Sequence, residues 1–281
     1  MLLFASSRQK KLRRRRGVND YHECLALKTH SGFRSKYLRN PHDLIVYTPP
    51  KYDEEDRSYP VLYLQDGQNL FDPATAFGGE DWAVHTTADR LIGEGAIEPL
   101  IVVGIGNAGE FRIDEYTPSK DRHLGSGGKG WRYGRMLVDD LKTFVDAEYR
   151  TMQDTDHTGI GGSSLGGLVS LYIGLHHPAV FGKLGIMSPS VWWGNRSIVD
   201  TVLSIDVTRH SRIWLDIGTN EGSNPQRILE DTRLLRNALV KKGWRDGDNL
   251  CFVEAEGAAH NEAAWRDRVD PMLRFLFPRE A

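Results

Sequence analysis

The chain has 281 residues, of which 40% are hydrophobic and 26% are charged. This balance is typical of a globular protein, and with only two cysteines it excludes a disordered polyelectrolyte, a collagen-like repeat and a disulfide scaffold. No apolar run approaches the roughly 18 residues that a membrane-spanning helix needs, so we expect no span. The length suits one large α/β unit, and no internal repeat or linker divides it.

The formal net charge of −2 is distributed unevenly along the chain. Residues 1–20 contain seven basic side chains and one acidic one, so this tail carries +6 and the rest of the chain carries −8. A body this acidic repels polyanions, and we expect no nucleic-acid partner. Because like charges repel one another, the tail is predicted to be a solvated, disordered extension. Its apolar stretch is too short for a signal peptide, which predicts a cytoplasmic protein.

Beyond residue 20, continuous apolar strands alternate with amphipathic helical patterns. Two strands with no helix between them, at 24–27 and 44–47, predict an antiparallel edge. Further strands are predicted at 60–64, 100–104, 213–215 and 250–253, with another that ends near Ile160. Helices are predicted at 82–92, 133–149, 165–176, 226–240 and 262–275. We therefore predict a single α/β domain over 21–281, with a mostly parallel central sheet, antiparallel N-terminal edge strands and helices on both faces.

The stretch 107–131 has no clear element and follows a strand, which in a parallel sheet places it at the carboxyl edge, where ligands bind. Overlapping its start, residues 104–109 satisfy the GxGxxG spacing of dinucleotide sites. No apolar helix follows, so a pyrophosphate would find no helix N-terminus. Gly128-Lys129 is not a phosphate-binding loop either, because Gly130 replaces the required Ser or Thr. We expect neither a cofactor nor a metal, since Cys24 and Cys251 also lack metal-ligand spacing.

A second glycine motif, GxSxG at 162–166, has Ser164 at its centre. At a nucleophile elbow the serine occupies a strained strand-to-helix turn, so the residues two positions away on each side need to lack a β-carbon. Ser164 has Gly162 and Gly166 in those positions, whereas Ser163 has Leu165 in one of them. The pattern favours Ser164 as a nucleophile over a glycine-rich turn without chemistry.

A serine nucleophile needs a base that a third group orients, and on this scaffold the chain order is serine, acid, histidine. His260 follows the last strand through three small residues, which places it at the carboxyl edge of the sheet. His210 precedes a strand and so lies at the opposite edge. For the acid, Glu221 in a loop after a strand is favoured over Asp216, which lies in the strand itself.

An oxyanion needs preorganised N–H donors, and one is expected from the backbone of Leu165, directly after the nucleophile. The other is expected from the loop that follows the strand 60–64. There, Gly67 allows the backbone to approach closely, so the N–H of Gln68 is our choice and that of Gly67 the alternative.

These segments resemble the putative-esterase family of the α/β-hydrolase superfamily, which includes esterase D, enterochelin esterases, feruloyl and acetyl xylan esterases and mycolyltransferases. The resemblance runs from Tyr21 to Pro278 and rests on YLQDGQNLFD (63–72), GSSLGG (162–167), SPSVWW (188–193), GTNE (218–221) and GAAH (257–260). It implies an α/β-hydrolase fold with Ser164 as nucleophile, Glu221 as acid and His260 as base. The sequence departs from many relatives at Gln65, where they carry histidine.

The substrate contacts are predicted from position alone. Trp192 and Trp193 follow a strand beyond the elbow helix and could wall an acyl or sugar pocket, with core packing as the alternative. Asp66, Arg112 and Tyr116 are further candidate contacts, the last two equally suited to anchoring their loop.

The predicted function is a serine-dependent carboxylic ester hydrolase that forms an acyl-enzyme. Its expected substrate is a small-molecule ester, either sugar-linked, feruloyl, acetyl or siderophore. Two alternatives stay open: acyl transfer to a sugar or alcohol by the same residues, and a ligand-binding homologue without turnover.

Overall fold

The computed structural model describes residues 27–121, 124–206 and 211–279. The basic tail predicted over 1–20, Cys24 and His210 lie outside these residues. Within them, one sheet contains eight strands: β1 (Leu27–Phe33), β2 (His42–Tyr47), β3 (Val61–Gln65), β4 (Ile101–Ile105), β5 (Thr158–Ser163), β6 (Lys183–Met187), β7 (Arg212–Gly218) and β8 (Leu250–Ala255).

The strands lie in the order β1-β2-β4-β3-β5-β6-β7-β8. The pairs β1–β2 and β2–β4 are antiparallel, and the remaining pairs are parallel. This arrangement confirms the predicted mostly parallel sheet with an antiparallel N-terminal edge. Of the first predicted strand, 24–27, only Leu27 lies among the described residues, and there it begins the largely polar strand β1. An exposed edge strand carries no apolar run that would reveal it in the sequence.

The described residues form eight α-helices: α1 (Val84–Gly93), α2 (Arg112–Glu115), α3 (Gly130–Arg135), α4 (Lys142–Glu148), α5 (Leu165–His176), α6 (Trp193–Ser204), α7 (Pro225–Lys241) and α8 (Glu262–Leu276). The helix predicted at 133–149 corresponds to α3 and α4, which a π-helical segment joins. The stretch 107–131 was predicted to have no element, and it contains a 3₁₀ turn and α2. The prediction also omitted α6. Residues 194–196 in its first turn have left-handed backbone angles, so the regular helical backbone begins only after them.

Two hydrophobic cores flank the sheet, one on each face. In β3, Val61 and Tyr63 point into the core that α3 to α7 cover, whereas Leu62 and Leu64 point into the core under α1 and α8. Both faces are therefore buried, which explains the continuous apolar runs in the parallel strands. Among the described helices, none has both the length and the apolar character needed to cross a bilayer.

The parallel strands bring distant loops to one edge of the sheet. Ser164 directly follows β5, Glu221 follows β7 after two intervening residues, and His260 lies between β8 and α8. Because β5, β6, β7 and β8 are consecutive and parallel, these three loops leave the sheet side by side at its carboxyl edge.

Candidate active site

Ser164 occupies a strained turn between β5 and α5. Its backbone angles are φ 57° and ψ −123°, which a residue with a side chain rarely adopts. A β-carbon added at Gly162 or at Gly166 would lie 2.9 Å from Cβ of Gln65. The turn therefore requires glycine at both positions, which is the steric condition that the GxSxG pattern expresses.

The end of β6 holds this turn in place. The Ser164 N–H donates to the carbonyl of Met187 at 3.0 Å, and the Ser164 carbonyl accepts from the Ser190 N–H at 3.0 Å. The two hydroxyls of Ser164 and Ser190 are 3.3 Å apart. The N–H and the carbonyl of Ser164 are thus both held by the backbone of the segment 187–190.

A chain of hydrogen bonds connects the three predicted triad residues. Nε2 of His260 lies 2.9 Å from Oγ of Ser164, and Nδ1 of His260 lies 2.7 Å from Oε2 of Glu221. The Glu221 side chain is 1% exposed and the His260 side chain 36% exposed. The imidazole also packs edge-on against Trp265, with 4.9 Å between the ring centroids. The structure brings together all three residues, with the histidine between the serine and a buried carboxylate.

Asp216, the alternative acid, has a different environment. It is fully buried in β7, where Oδ1 accepts from Arg268 at 2.6 Å and Oδ2 accepts from the Trp214 indole at 2.7 Å. Burial raises the pKa of Asp216 to about 6, although the nearby Arg268 guanidinium acts in the opposite direction. Asp216 contacts Arg268 and not the imidazole, which favours Glu221 as the partner of His260.

A cavity of about 360 Å³ opens beside Ser164. Most of its lining residues have polar side chains, and they lie at or beyond the ends of β3, β4, β5 and β8: Asp66, Gln68, Asn69, Phe77, Asn107, Arg112, Ser163, Ser164, His260, Glu262 and Trp265. The Arg112 guanidinium binds both carboxylate oxygens of Asp66 at 2.8 Å. Glu262 accepts from the Asn69 amide at 3.0 Å, and burial raises the pKa of its carboxyl.

Two of the predicted substrate contacts, Asp66 and Arg112, line this cavity, and three residues do not. Trp193 is 1% exposed and donates its indole N–H to the carbonyl of Ser119 at 2.8 Å. Tyr116 is buried, and its hydroxyl accepts from the Asp66 N–H at 3.2 Å. Trp193 therefore packs in the core and Tyr116 anchors its loop, which are the alternatives to substrate contact given above. Trp192 is half-exposed outside the cavity.

The predicted oxyanion donors also occupy the expected loops. Asp66 has left-handed backbone angles and leads into a 3₁₀ turn over Gly67–Asn69. In the described chain, no backbone acceptor takes the N–H of Gln68 or that of Leu165. Gln68 lines the cavity and Gly67 does not, which favours Gln68 over its alternative. A β-carbon at Gly67 would lie 2.5 Å from the Gly104 carbonyl carbon, so glycine lets this loop pack against β4.

Comparison with known proteins shows the family of the chain. The sequence pattern of the family described as Putative esterase matches residues 35–276. The chain belongs to this family. As a family member it is a carboxylic ester hydrolase, and its α/β fold is that of the α/β-hydrolase esterases.

Several relatives of this esterase are similar over most of the chain. It is 28% identical over 255 residues to the uncharacterized protein YbbA of Bacillus subtilis, covering 88% of this chain and 96% of YbbA. Ferri-bacillibactin esterase BesA of the same organism is 25% identical over 238 residues, which cover 77% of this chain and 78% of BesA. The crystal structure of the BES protein from Bacillus cereus superposes with a TM-score of 0.71 at 20% identity, over 96% of this chain and 99% of that one.

Sequence reasoning missed several residues of this esterase cavity. Glu262 and Trp265 lie one helical turn apart directly after His260, so their spacing could have placed both beside the histidine. Asn69 follows the proposed oxyanion loop and could have been found in the same way. Phe77 and Asn107 lie in loops whose course the sequence does not reveal.

Proposed function

We propose that this esterase cleaves its substrate through Ser164 as nucleophile, His260 as general base and Glu221 as the acid that orients the histidine. The observation that carries this proposal is the pair of contacts, 2.9 Å and 2.7 Å, that joins the serine, the imidazole and the carboxylate at the wall of an open cavity. A carboxylate on Nδ1 keeps the proton there, so Nε2 is free to accept the Ser164 proton.

The reaction then proceeds in two halves. Oγ of Ser164 attacks the ester carbonyl while its proton passes to Nε2 of His260, and the N–H groups of Gln68 and Leu165 stabilise the oxyanion. The tetrahedral intermediate expels the alcohol, which takes the proton from His260, and an acyl-enzyme remains. Water attacks this acyl group, again with His260 as the base, and releases the carboxylic acid and the free serine.

The lining of the cavity supports a small, polar ester as the substrate. The Asp66–Arg112 ion pair, Asn69 and Glu262 offer hydrogen-bonding groups, and Trp265 offers one aromatic surface. BesA is named an esterase of ferri-bacillibactin, which is also a small-molecule ester. We therefore propose a hydroxyl- or amide-bearing small-molecule ester.

The test compares wild-type protein with Ser164→Ala in the hydrolysis of nitrophenyl acetate and in labelling by a fluorophosphonate. We expect Ser164→Ala to lose at least about 10⁴-fold in kcat/KM and to take up no label, because the remaining groups cannot form the acyl-enzyme. The matched control is Ser170→Ala, which also removes a serine hydroxyl, in this case a buried one within α5. Hydrolysis and labelling at wild-type levels in Ser164→Ala would contradict the proposal. A product that carries the acyl group on an added alcohol would indicate transfer in place of hydrolysis.

A further inference from the structure

A buried polar cluster lies against the second oxygen of the Glu221 carboxylate. We call it the Ser188 cluster, and it consists of Ser188, Asp216, Trp265 and Arg268, each at most 5% exposed. While Oε2 of Glu221 contacts His260, Oε1 accepts from the Gly218 N–H at 2.7 Å and from the Ser188 hydroxyl at 2.5 Å. Ser188 begins the motif SPSVWW (188–193), but the sequence analysis predicts no role for it.

The hydrogen bonds around the Ser188 hydroxyl leave it one direction in which to donate. A hydroxyl has one proton and two lone pairs. Its oxygen accepts from the Trp265 indole at 3.0 Å and from Nη2 of Arg268 at 3.2 Å, so both lone pairs are occupied. The remaining proton therefore points to Oε1 of Glu221.

Arg268 is itself fixed by three acceptors. Its Nε donates to the Ala264 carbonyl at 3.0 Å, its Nη1 to Asp216 at 2.6 Å, and its Nη2 to Ser188. The guanidinium is 3.9 Å from Oε1 of Glu221, so it places one permanent positive charge between two buried carboxylates. Unpaired carboxylates in such a site would be strongly disfavoured.

The backbone at Ser188 is strained and held by the same cluster. Ser188 has φ 41°, a left-handed value for a residue that is not glycine. Its N–H donates to both the backbone carbonyl and Oδ1 of Asp216, at 3.0 and 3.1 Å. Strained residues of this kind persist where the surroundings over-determine them, and they occur preferentially at functional sites.

We propose that Ser188 is a positioning residue of the esterase, which orients the Glu221 carboxylate so that Oε2 faces Nδ1 of His260. This inference rests on the proposed function of the triad. Among the described residues Ser188 has no hydrogen bond to the Ser164 hydroxyl and does not line the substrate cavity, so it acts indirectly. Its direct contact with the triad is Glu221, and it also holds Trp265, which packs against His260. The charged and titratable groups that face Glu221 are His260, Arg268 and Asp216.

The test measures kcat, KM and the pH dependence of kcat/KM for Ser188→Ala and Ser188→Gly, counting active sites by fluorophosphonate labelling. We expect kcat to fall about tenfold with KM unchanged. We also expect the acid limb of kcat/KM to move to lower pH, because a carboxylate that turns away from Nδ1 stabilises the imidazolium less. Since glycine tolerates the backbone angle at this position, Ser188→Gly separates the loss of the hydroxyl from backbone strain.

The matched control is Ser170→Ala, which removes a buried hydroxyl that accepts from the Gln65 amide at 3.3 Å and touches no triad residue. It should leave the pH profile at its wild-type position. Wild-type kcat in both Ser188 variants, or a lower kcat with an unmoved acid limb, would overturn the inference. Those outcomes leave an inactive Ser164→Ala unaffected, whereas an active Ser164→Ala would refute the triad itself.

Discussion

At the scale of single residues, two carboxylates five positions apart take unlike roles because their surroundings differ. Glu221 shares its oxygens between His260 and the donors Gly218 and Ser188. Asp216 is enclosed in the sheet and depends on Arg268 for its counter-charge. Burial favours the neutral form of a carboxyl group. The free energy of unfolding therefore depends on whether Asp216 is protonated.

Asp216 should therefore make the protein less stable as the pH rises. Burial raises its folded-state pKa to about 6, above the value in an unfolded chain, so the folded protein binds this proton more tightly. The resulting loss of unfolding free energy develops between about pH 4 and pH 6 and amounts to at most about 3 kcal/mol. In Asp216→Asn this component is absent, so the stability of wild type relative to the variant should fall over that range, as measured by urea denaturation.

The charge of Arg268 does not change over the pH range of this measurement. Its guanidinium stays charged throughout the range, so the unpaired arginine in Asp216→Asn adds an offset that does not vary with pH. Stability curves of wild type and variant that run parallel from pH 4 to pH 7 would show that Asp216 does not titrate there.

The sequence predicts residues whose roles depend on local geometry better than residues whose roles depend on packing. Ser164 is predicted from the two glycines within its own turn. Glu221 and His260 are predicted from their positions after recognisable strands. The role of Ser188 could not be predicted, because its partners come from β7 and α8, which are far away in the chain. For the same reason, sequence alone could not separate a pocket wall from core packing at Trp193.

At the scale of elements, α8 carries much of the site. His260 precedes the helix, Glu262 and Trp265 line the cavity from its first turns, and Arg268 reaches the Ser188 cluster from the next turn. The sequence predicts this helix and the parallel strands well, since their apolar patterns are strong. The helix α6 is not predicted, because only two of its residues beyond the first turn, Ile198 and Val202, are buried. Two buried residues are too few to give a clear apolar pattern in the sequence.

Removing the N-cap of α8 should weaken both stability and catalysis. The Asn261 side chain accepts from the Ala264 N–H at 3.0 Å. Asn261→Ala leaves that donor without its cap, which typically costs about 1 kcal/mol, and it loosens the turn that carries His260. We expect a lower free energy of unfolding and a several-fold lower kcat, measured by urea denaturation and by ester hydrolysis.

The helix α7 supplies a matched comparison, because Asn224 caps it by accepting from the Arg227 N–H at 3.2 Å. Asn224→Ala should lower stability to a similar extent and leave kcat as in wild type, since α7 carries no residue of the cavity. Equal kcat values in the two variants would show that the cap of α8 contributes to stability alone.

At the scale of the whole molecule, the segments that follow four strands enclose a small cavity whose lining residues mostly have polar side chains. The two large apolar cores lie on the faces of the sheet and are filled by their own side chains. The described cavity residues include only two large apolar side chains, Phe77 and Trp265, and Phe77 is 78% exposed. The described cavity at the carboxyl edge therefore has few large apolar side chains with which to form an acyl tunnel.

This architecture predicts a weak response to the length of the acyl chain. An apolar tunnel would gain about 0.8 kcal/mol for each buried methylene, or about fourfold in kcat/KM. Here we expect kcat/KM for nitrophenyl esters to stay level or fall from acetate to octanoate, measured below the concentration at which the esters aggregate. A steady fourfold rise for each methylene would reveal an acyl tunnel that opens on binding.

The attachment of Ser164 to the end of β6 has a consequence for biosynthesis. Since the N–H and the carbonyl of Ser164 are both held by neighbouring backbone, the proposed nucleophile reaches its position only when the central strands have assembled. A nascent or damaged copy of the chain would carry an ordinary, unreactive alcohol at this position. Covalent capture by an electrophilic phosphonate would accordingly count the molecules that have matured, even in a crude mixture.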